Sequence, residues 1–228
     1  MRTDSEVANC YYCGAPATSV EHVPPRCIFP EMKDSSNVDY RKNLITVPSC
    51  DEHNSLKSKD DEYFFLVLML TFKSNITGKQ HLRTKGVRMI TRKPSLFSSV
   101  DTVGKNIRLN NTTGNLVEQG RLLRIDSVRY ERILQHISFA LYFHEFRTVF
   151  SGTYHMLING LNYFSPGKEE FDQTLEKATN DFAGFFELTS ERADNPEIFT
   201  YNFSEMVGKR LFLRMRFHEK NQVIVYFE

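Results

Sequence analysis

Two pairs of possible zinc ligands, each pair separated by two residues, constrain the fold of this chain more than any other feature. Cys10 and Cys13 form the first pair, and Cys50 and His53 form the second. A cysteine pair at this spacing can grip one metal ion from a tight turn, and the second pair supplies the other two corners of a tetrahedron. The spacing predicts a structural Zn²⁺ that folds the intervening segment back on itself.

The distribution of cysteine favours a metal site over other uses of these side chains. All four cysteines lie within the first 50 of 228 residues, and a local metal site explains this better than two disulfides of a secreted protein. A redox-active Cys-x-x-Cys pair and simple burial remain open as alternatives, although a redox pair would more naturally begin a helix of a βαβ unit. Cys27, apart from both pairs, is expected to be an ordinary core residue.

Composition indicates a folded protein and sets limits on its partners. Hydrophobic residues make up 40% of the chain, with 19 Phe and 10 Tyr, which is enough to form a core. The net charge of +1 means that any nucleic-acid binding must come from local basic patches. The longest apolar run, residues 64 to 72, predicts a buried helix and no membrane span. The polar N-terminus lacks a secretory signal pattern, so we expect a cytoplasmic protein.

Residues 1 to 72 are expected to form a compact strand, loop, strand, helix unit. Residues 17 to 23 and 44 to 47 are the two β-prone runs, and Pro48 is expected to end the second. From Asn54 onwards, apolar residues recur at spacings of three and four, which predicts a helix.

Residues 73 to 228 are expected to form an accessory domain of helices and antiparallel strands, so that the whole chain is α+β. A long helix capped by Asp126 or Ser127 should run to about Phe150. Other strands are predicted at residues 106 to 109, 120 to 125, 153 to 158, 198 to 203, 210 to 217 and 222 to 227, with a helix at 169 to 185.

Two segments of this domain carry positive charge. A basic helix interrupted by Gly86 is predicted at residues 79 to 92, and it is the best candidate for phosphate contact outside the first 72 residues. Arg210, Arg214 and Arg216 alternate with apolar residues on a predicted strand, which would give a basic face that contacts solvent or a nucleic-acid backbone. Five histidines beyond residue 80 are expected to be surface or satisfied core residues.

The first 63 residues resemble an HNH endonuclease module, also called the ββα-metal finger. The resemblance rests on the segments C-x₂-C, EHVPP, KNLITVPSC and HNSLKS, which cover about a quarter of the chain. It implies a zinc-stapled hairpin and helix in which Glu21 and Asn54 bind a catalytic ion, His22 is the general base and Asn43 is the middle Asn of the motif.

The match departs from the common family pattern at two positions. His53 stands where Cys is common, and histidine is an equally acceptable zinc ligand. Glu21 stands where Asp is common, and its extra methylene moves the carboxylate outward. In an alternative registration His53 would bind the catalytic ion, which would leave the zinc with three protein ligands.

The candidate residues also suit phosphodiester hydrolysis on chemical grounds. Neutral His22 can take a proton from water, and Glu21 and Asn54 offer oxygen ligands suited to Mg²⁺ or Mn²⁺. Asn43 is expected to fix the loop that holds His22, and Lys57 to contact a phosphate. For these two residues, a turn role and a solvated helix charge remain equally open.

The expected function is therefore a metal-dependent endonuclease that acts on nucleic acid, with DNA favoured, a structural Zn²⁺ and a catalytic Mg²⁺ or Mn²⁺. Residues 73 to 228 would then support target selection, a homodimer or a protein partner, without membrane contact. Two alternatives are kept. One is a non-catalytic zinc-stapled module that binds nucleic acid or protein, and the other is a nuclease effector that needs a partner or an activating ligand.

Overall fold

A computed structural model describes residues 8–54, 58–71, 74–98, 100–110, 116–159, 186, 189–206 and 210–228. Within these ranges the protein combines α-helices with antiparallel sheets, so the predicted α+β class is confirmed. The helix predicted at residues 169 to 185 and the candidate phosphate contact Lys57 lie outside the described residues.

The N-terminal part begins with a two-stranded antiparallel hairpin. Strand β1 (Ser19–Val23) pairs with β2 (Ile45–Ser49). The prediction that Pro48 ends β2 is wrong. The Pro48 carbonyl accepts a hydrogen bond from Tyr11 N at 2.9 Å, so its polar side faces away from β1 and its missing N–H costs the hairpin no hydrogen bond. Helix α1 (Asp51–Asn54) follows directly.

Helix α2 (Ser58–Leu70) is the buried helix that the sequence predicted. Every residue from position 63 to position 69 is buried, which explains why the helix is apolar on all sides. None of the helices in the described part of the chain has the length and apolar character needed to cross a membrane.

A run of short helices replaces the single interrupted helix predicted at residues 79 to 92. Helix α3 (Ile76–His81) continues through a π-helical turn (Leu82–Gly86) into α4 (Val87–Arg92), and α5 (Pro94–Ser98) follows. Gly86 does not break the path. A Cβ at Gly86 would lie 2.8 Å from Leu82 Cδ1, so glycine permits the close packing of this turn.

Beyond α5, strands β3 (Asp101–Asn110) and β4 (Leu116–Arg124) pair antiparallel and are longer than predicted. Helix α6 (Ser127–Phe146) begins as predicted, with the Asp126 side chain accepting a hydrogen bond from Arg129 N. It ends before the predicted Phe150 because Arg147 adopts a left-handed conformation and its N–H closes the last turn onto Phe143 O.

The C-terminal strands form a four-stranded antiparallel sheet in the order β5, β8, β7, β6. Their bounds are Tyr154–Asn159 for β5, Phe199–Met206 for β6, Arg210–Phe217 for β7 and Asn221–Phe227 for β8. One continuous buried cluster extends from Cys10 and Tyr11 to Phe227. Helix α6 contacts the N-terminal hairpin and also packs Phe139 against Phe227, so it joins the hairpin to this sheet.

Candidate functional site

The four predicted zinc ligands come together in space. Their ligand atoms all lie within 4.8 Å of one another. The Sγ atoms of Cys13 and Cys50 are 3.8 Å apart, and His53 Nδ1 lies 3.1 Å from Cys50 Sγ and 3.8 Å from Cys10 Sγ. A tetrahedral zinc ion with Zn–S bonds near 2.3 Å holds two sulfurs about 3.8 Å apart. This Cys₃His cluster can therefore hold a structural metal ion such as zinc.

Backbone hydrogen bonds build the two tight turns that carry the ligands. In the first turn Gly14 N donates to Cys10 O, and Gly14 has a φ of 73°, a conformation that glycine adopts without strain. In the second turn the amides of His53 and Asn54 both donate to Cys50 O. Because each turn is formed by residues close together in the chain, the pairing of Cys10 with Cys13 and of Cys50 with His53 could be predicted from the sequence.

The Cys10 thiol is prepared for metal binding by its surroundings. Burial raises its pKa, but hydrogen bonds from the backbone amides of Cys13, Tyr12 and Cys50 lower it, and the net pKa lies below the usual value. A lower pKa favours the thiolate, which is the form that binds zinc.

Asn54 lies where the turn that carries Cys50 and His53 meets strand β1. Its Nδ2 donates to Ser19 Oγ at 2.8 Å and to Val20 O at 3.3 Å. A further hydrogen bond, from Thr18 Oγ1 to Asp51 Oδ1 at 2.7 Å, ties the same helix start to the same segment. Asn54 is thereby fixed beside the strand that carries Glu21 and His22.

Glu21 and His22 follow one another on β1, so their side chains leave opposite faces of the hairpin. Glu21 is only 8% exposed and its carboxylate is hydrogen-bonded to the hydroxyl of Tyr11. His22 is half-buried on the other face. Glu21 therefore faces the interior, a placement that was not predicted from the sequence.

His22 lies in a positively charged environment. Burial lowers its pKa, the positive charges of Arg26 and Arg41 lower it further, and Glu21 acts in the opposite direction. The imidazole is therefore neutral at neutral pH. Arg41 is held by hydrogen bonding to Phe29 O and by pairing with Glu31, whereas the exposed Arg26 forms no ion pair with any residue that the structure describes. Sequence reasoning missed Arg26, although it directly follows the EHVPP segment.

Asn43 begins the approach to β2 in a left-handed conformation with a φ of 55°. Asparagine tolerates this conformation better than most residues, which supports a turn role. Asn43 also lines a cavity of ≈ 140 Å³ together with Val23 and Phe29 from the N-terminal part and His144 and Arg192 from the C-terminal part.

Three aromatic side chains that sequence reasoning did not assign to the site link it to helix α6. Tyr12 stacks on His53 of the Cys₃His cluster and on His136 of α6, with ring centroids 4.4 Å apart in both cases. Tyr11 OH lies 3.0 Å from His136 Nδ1. The two tyrosines are the residues between Cys10 and Cys13, so their closeness to the cluster could have been predicted from the sequence. Their partner His136 lies 125 residues after Tyr11, and no sequence pattern indicated it.

Part of the positive charge predicted to meet phosphate is held by contacts within the protein. Arg88 donates two hydrogen bonds to the buried carboxylate of Asp34, at 2.9 and 2.6 Å, and Lys85 donates to Cys27 O. On β7, Arg214 and Arg216 each pair with one oxygen of Glu191. These cations stabilise the fold, and on the predicted basic face of β7 the single negative charge of Glu191 offsets one of the two positive charges of Arg214 and Arg216.

The other cysteine packs against the core, and two of the remaining histidines lie in the interior. Cys27 is partly buried against the core, its Sγ donates to Asp61 O at 3.2 Å, and burial raises the pKa of its thiol to about 12, in agreement with the core role that was predicted. His81 and His218 are fully buried, but their ring nitrogens have no hydrogen-bond partner among the described residues, so they are not satisfied core histidines.

Comparison with known proteins identifies no relative: the chain matches no protein-family model, no curated protein and no solved structure.

Proposed function

We propose that this protein is a metal-dependent endonuclease of the HNH type that hydrolyses phosphodiester bonds, with DNA as the favoured substrate. In this proposal the hairpin β1–β2 and the helices that follow it act as a ββα-metal module stapled by zinc. Glu21 and Asn54 hold a catalytic Mg²⁺ or Mn²⁺, His22 is the general base, and Asn43 and Lys57 keep the supporting roles expected from the sequence.

The observation that carries the proposal is the position of Asn54. It directly follows a member of the Cys₃His cluster and is hydrogen-bonded to Ser19 and Val20, next to Glu21 and His22. What supports the proposal is that a candidate amide ligand, a candidate carboxylate ligand and a neutral imidazole lie on adjoining elements next to the Cys₃His cluster, with the carboxylate and the imidazole on opposite faces of β1.

The proposed chemistry divides among these residues. His22 accepts a proton from the attacking water, which requires the neutral imidazole. A bound divalent ion supplies charge neutralisation at the phosphate and the leaving oxygen. Arg26, exposed and within electrostatic range of His22, attracts the phosphate of the substrate.

The experiment that tests the proposal is cleavage of supercoiled plasmid with Mg²⁺ or Mn²⁺. Wild-type protein should produce nicked or linear DNA, and His22→Ala should lower the rate by at least about 100-fold, the typical contribution of a general base, with zinc content unchanged. His155→Ala, a change at an exposed histidine of β5, is the matched control and should cleave like wild type. Equal cleavage by His22→Ala contradicts the assignment.

Arg26→Ala tests the substrate-binding part of the proposal. Loss of one phosphate contact should weaken binding to all DNA sequences alike. The slope of log K against log salt concentration should become less steep by about 1. Arg124→Ala, at an exposed position on β4, is the control and should leave the slope unchanged. An unchanged slope for Arg26→Ala removes Arg26 from the interface.

One observation favours the non-catalytic zinc-stapled binding module as a second candidate. The carboxylate of Glu21 is nearly buried and is engaged by Tyr11, which suits a structural role as well as metal binding. Binding of duplex DNA, single-stranded DNA or RNA without cleavage under any divalent metal would favour this second function.

A further inference from the structure

The side chain of His136, on helix α6, reaches the candidate site at two points. The imidazole of His136 stacks with Tyr12, which in turn stacks with the zinc-cluster residue His53. Its Nδ1 atom is 3.0 Å from the hydroxyl of Tyr11, whose other partner is Glu21. We propose that His136 is a positioning residue that holds both the structural metal cluster and the carboxylate of Glu21.

The stacking contact acts on the zinc side. The centroids of the His53, Tyr12 and His136 rings form a triangle with sides of 4.4, 4.4 and 5.8 Å. Phe139, one helical turn after His136, also packs on Tyr12, with centroids 5.5 Å apart. Because His53 Nδ1 must face the three sulfurs, contacts that restrict rotation of its ring favour the metal-binding geometry.

The hydrogen bonds act on the carboxylate side, and their direction is fixed by proton count. A phenol carries one proton and a carboxylate can only accept, so Tyr11 donates to Glu21 and accepts from Nδ1–H of His136. This assigns the Nδ1–H tautomer to His136 and leaves its Nε2 as an acceptor. Tyr11 is fully buried, so water does not compete for this chain of two hydrogen bonds.

The consequence is that the candidate site is not complete without α6. Hydrogen bonds to a metal-binding carboxylate orient it, and their loss typically weakens metal binding 10- to 100-fold. The part of the inference that concerns Glu21 rests on the proposed function, whereas the part that concerns His53 requires only that the Cys₃His cluster binds metal.

Three variants separate the two contacts. His136→Phe keeps an aromatic ring for stacking and removes the hydrogen bond, and Tyr11→Phe also removes the hydrogen bond. His136→Asn keeps a donor near the position of Nδ1 and removes the stack. His155→Phe on β5 is the control for replacing a histidine by phenylalanine. Circular dichroism establishes that each variant is folded.

Two measurements do not depend on activity. The first is the transfer of zinc from the protein to a chelator, together with the absorption spectrum of the Co²⁺-substituted cluster. The second is the binding of Mn²⁺ to the zinc-loaded protein, followed by electron paramagnetic resonance. His136→Phe and Tyr11→Phe should weaken Mn²⁺ binding about 10- to 100-fold with zinc transfer unchanged. His136→Asn should speed zinc transfer roughly 2- to 10-fold and leave Mn²⁺ binding within about threefold.

Other results overturn the inference. If the two phenylalanine variants bind Mn²⁺ as tightly as wild type, Tyr11 and His136 do not position Glu21. If His136→Phe and His136→Asn change both sites equally, the residue is only part of the packing. Failure of the proposed function has a different signature, because wild type and Glu21→Gln would then bind Mn²⁺ equally weakly. That result removes the role at Glu21, and zinc transfer in His136→Asn still decides the role at His53.

Discussion

Two groups of metal-binding residue types in this protein have opposite environments. In the Cys₃His cluster four ligand atoms converge within 4.8 Å. His81 and His218 are equally capable ligands, yet each imidazole is fully buried without a hydrogen-bond partner in the described part of the chain. The edge of Phe65 packs on His81, with centroids 4.9 Å apart, and Gly78 packs on His218.

Convergence of the ligand atoms, and not residue type alone, therefore makes a metal site. Burial lowers the pKa of His81 to about 3, with Lys85, His218 and Arg41 acting in the same direction and Asp34 opposing. Burial alone lowers the pKa of His218 to about 4. These two histidines are kept neutral by desolvation, whereas the cluster is arranged so that charge on its ligands can be balanced by a cation.

The largest expected effect is the loss of metal from the cluster. Cys50→Ser should weaken zinc binding by well over about 100-fold, because removal of a direct ligand costs more than removal of a hydrogen bond to a ligand. Elemental analysis and the Co²⁺ spectrum measure this. Cys27→Ser is the matched control, since the Cys27 sulfur belongs to the core, and it should retain one zinc per chain. Zinc retained by Cys50→Ser would show that Cys50 is not a ligand of the ion.

The next effect is acid sensitivity caused by the buried histidines. Their folded pKa values of about 3 and about 4 lie below the ordinary value of 6.5, so the unfolded state binds more protons between these limits. The contribution of these two neutral histidines to the free energy of unfolding is therefore fully present above pH 6.5 and is lost as the pH falls below it. Each histidine should reduce the ratio of folded to unfolded protein by up to about tenfold per pH unit in this window.

His81→Leu tests this expectation. Denaturant unfolding between pH 6 and 5, with zinc in excess, should show a smaller loss of stability per pH unit for the variant than for wild type. His155→Leu, at an exposed position, should follow wild type. The same pH slope for His81→Leu and wild type would mean that His81 is not held neutral in the folded state.

The smallest expected effect is a change in stability when the fourth ligand, His53, is replaced. His53→Cys should keep zinc, because a fourth thiolate completes the tetrahedron, but it should lower stability by about 1 kcal/mol through loss of the stack on Tyr12. The Co²⁺ spectrum should show stronger thiolate-to-metal absorption, and thermal unfolding measures the stability. His53→Ala should lose zinc. If this variant retains zinc, the alternative alignment with the HNH motif, in which His53 binds the catalytic ion, is favoured.

Features encoded over short distances were predictable from sequence. The two zinc turns, the cap at Asp126 and the buried helix α2 each depend on residues within one or two turns of one another. Alternation of apolar residues likewise predicted the C-terminal antiparallel strands. The failure at Pro48 came from a contact with a distant residue. Pro48 was expected to end β2, but only the position of Tyr11 shows that its polar side faces away from β1.

The spacing of residues along the chain was enough to identify the members of the Cys₃His cluster, because short spacing selects which ligands can share one ion. Tertiary packing, in contrast, sets which charges are paired and which side chains are desolvated. Arg214 and Arg216 share the carboxylate of Glu191, Glu21 faces Tyr11, and His136 reaches the site from 125 residues away. Charge pairing and burial depend on which distant segments pack together, and this packing is set by the hydrophobic core as a whole.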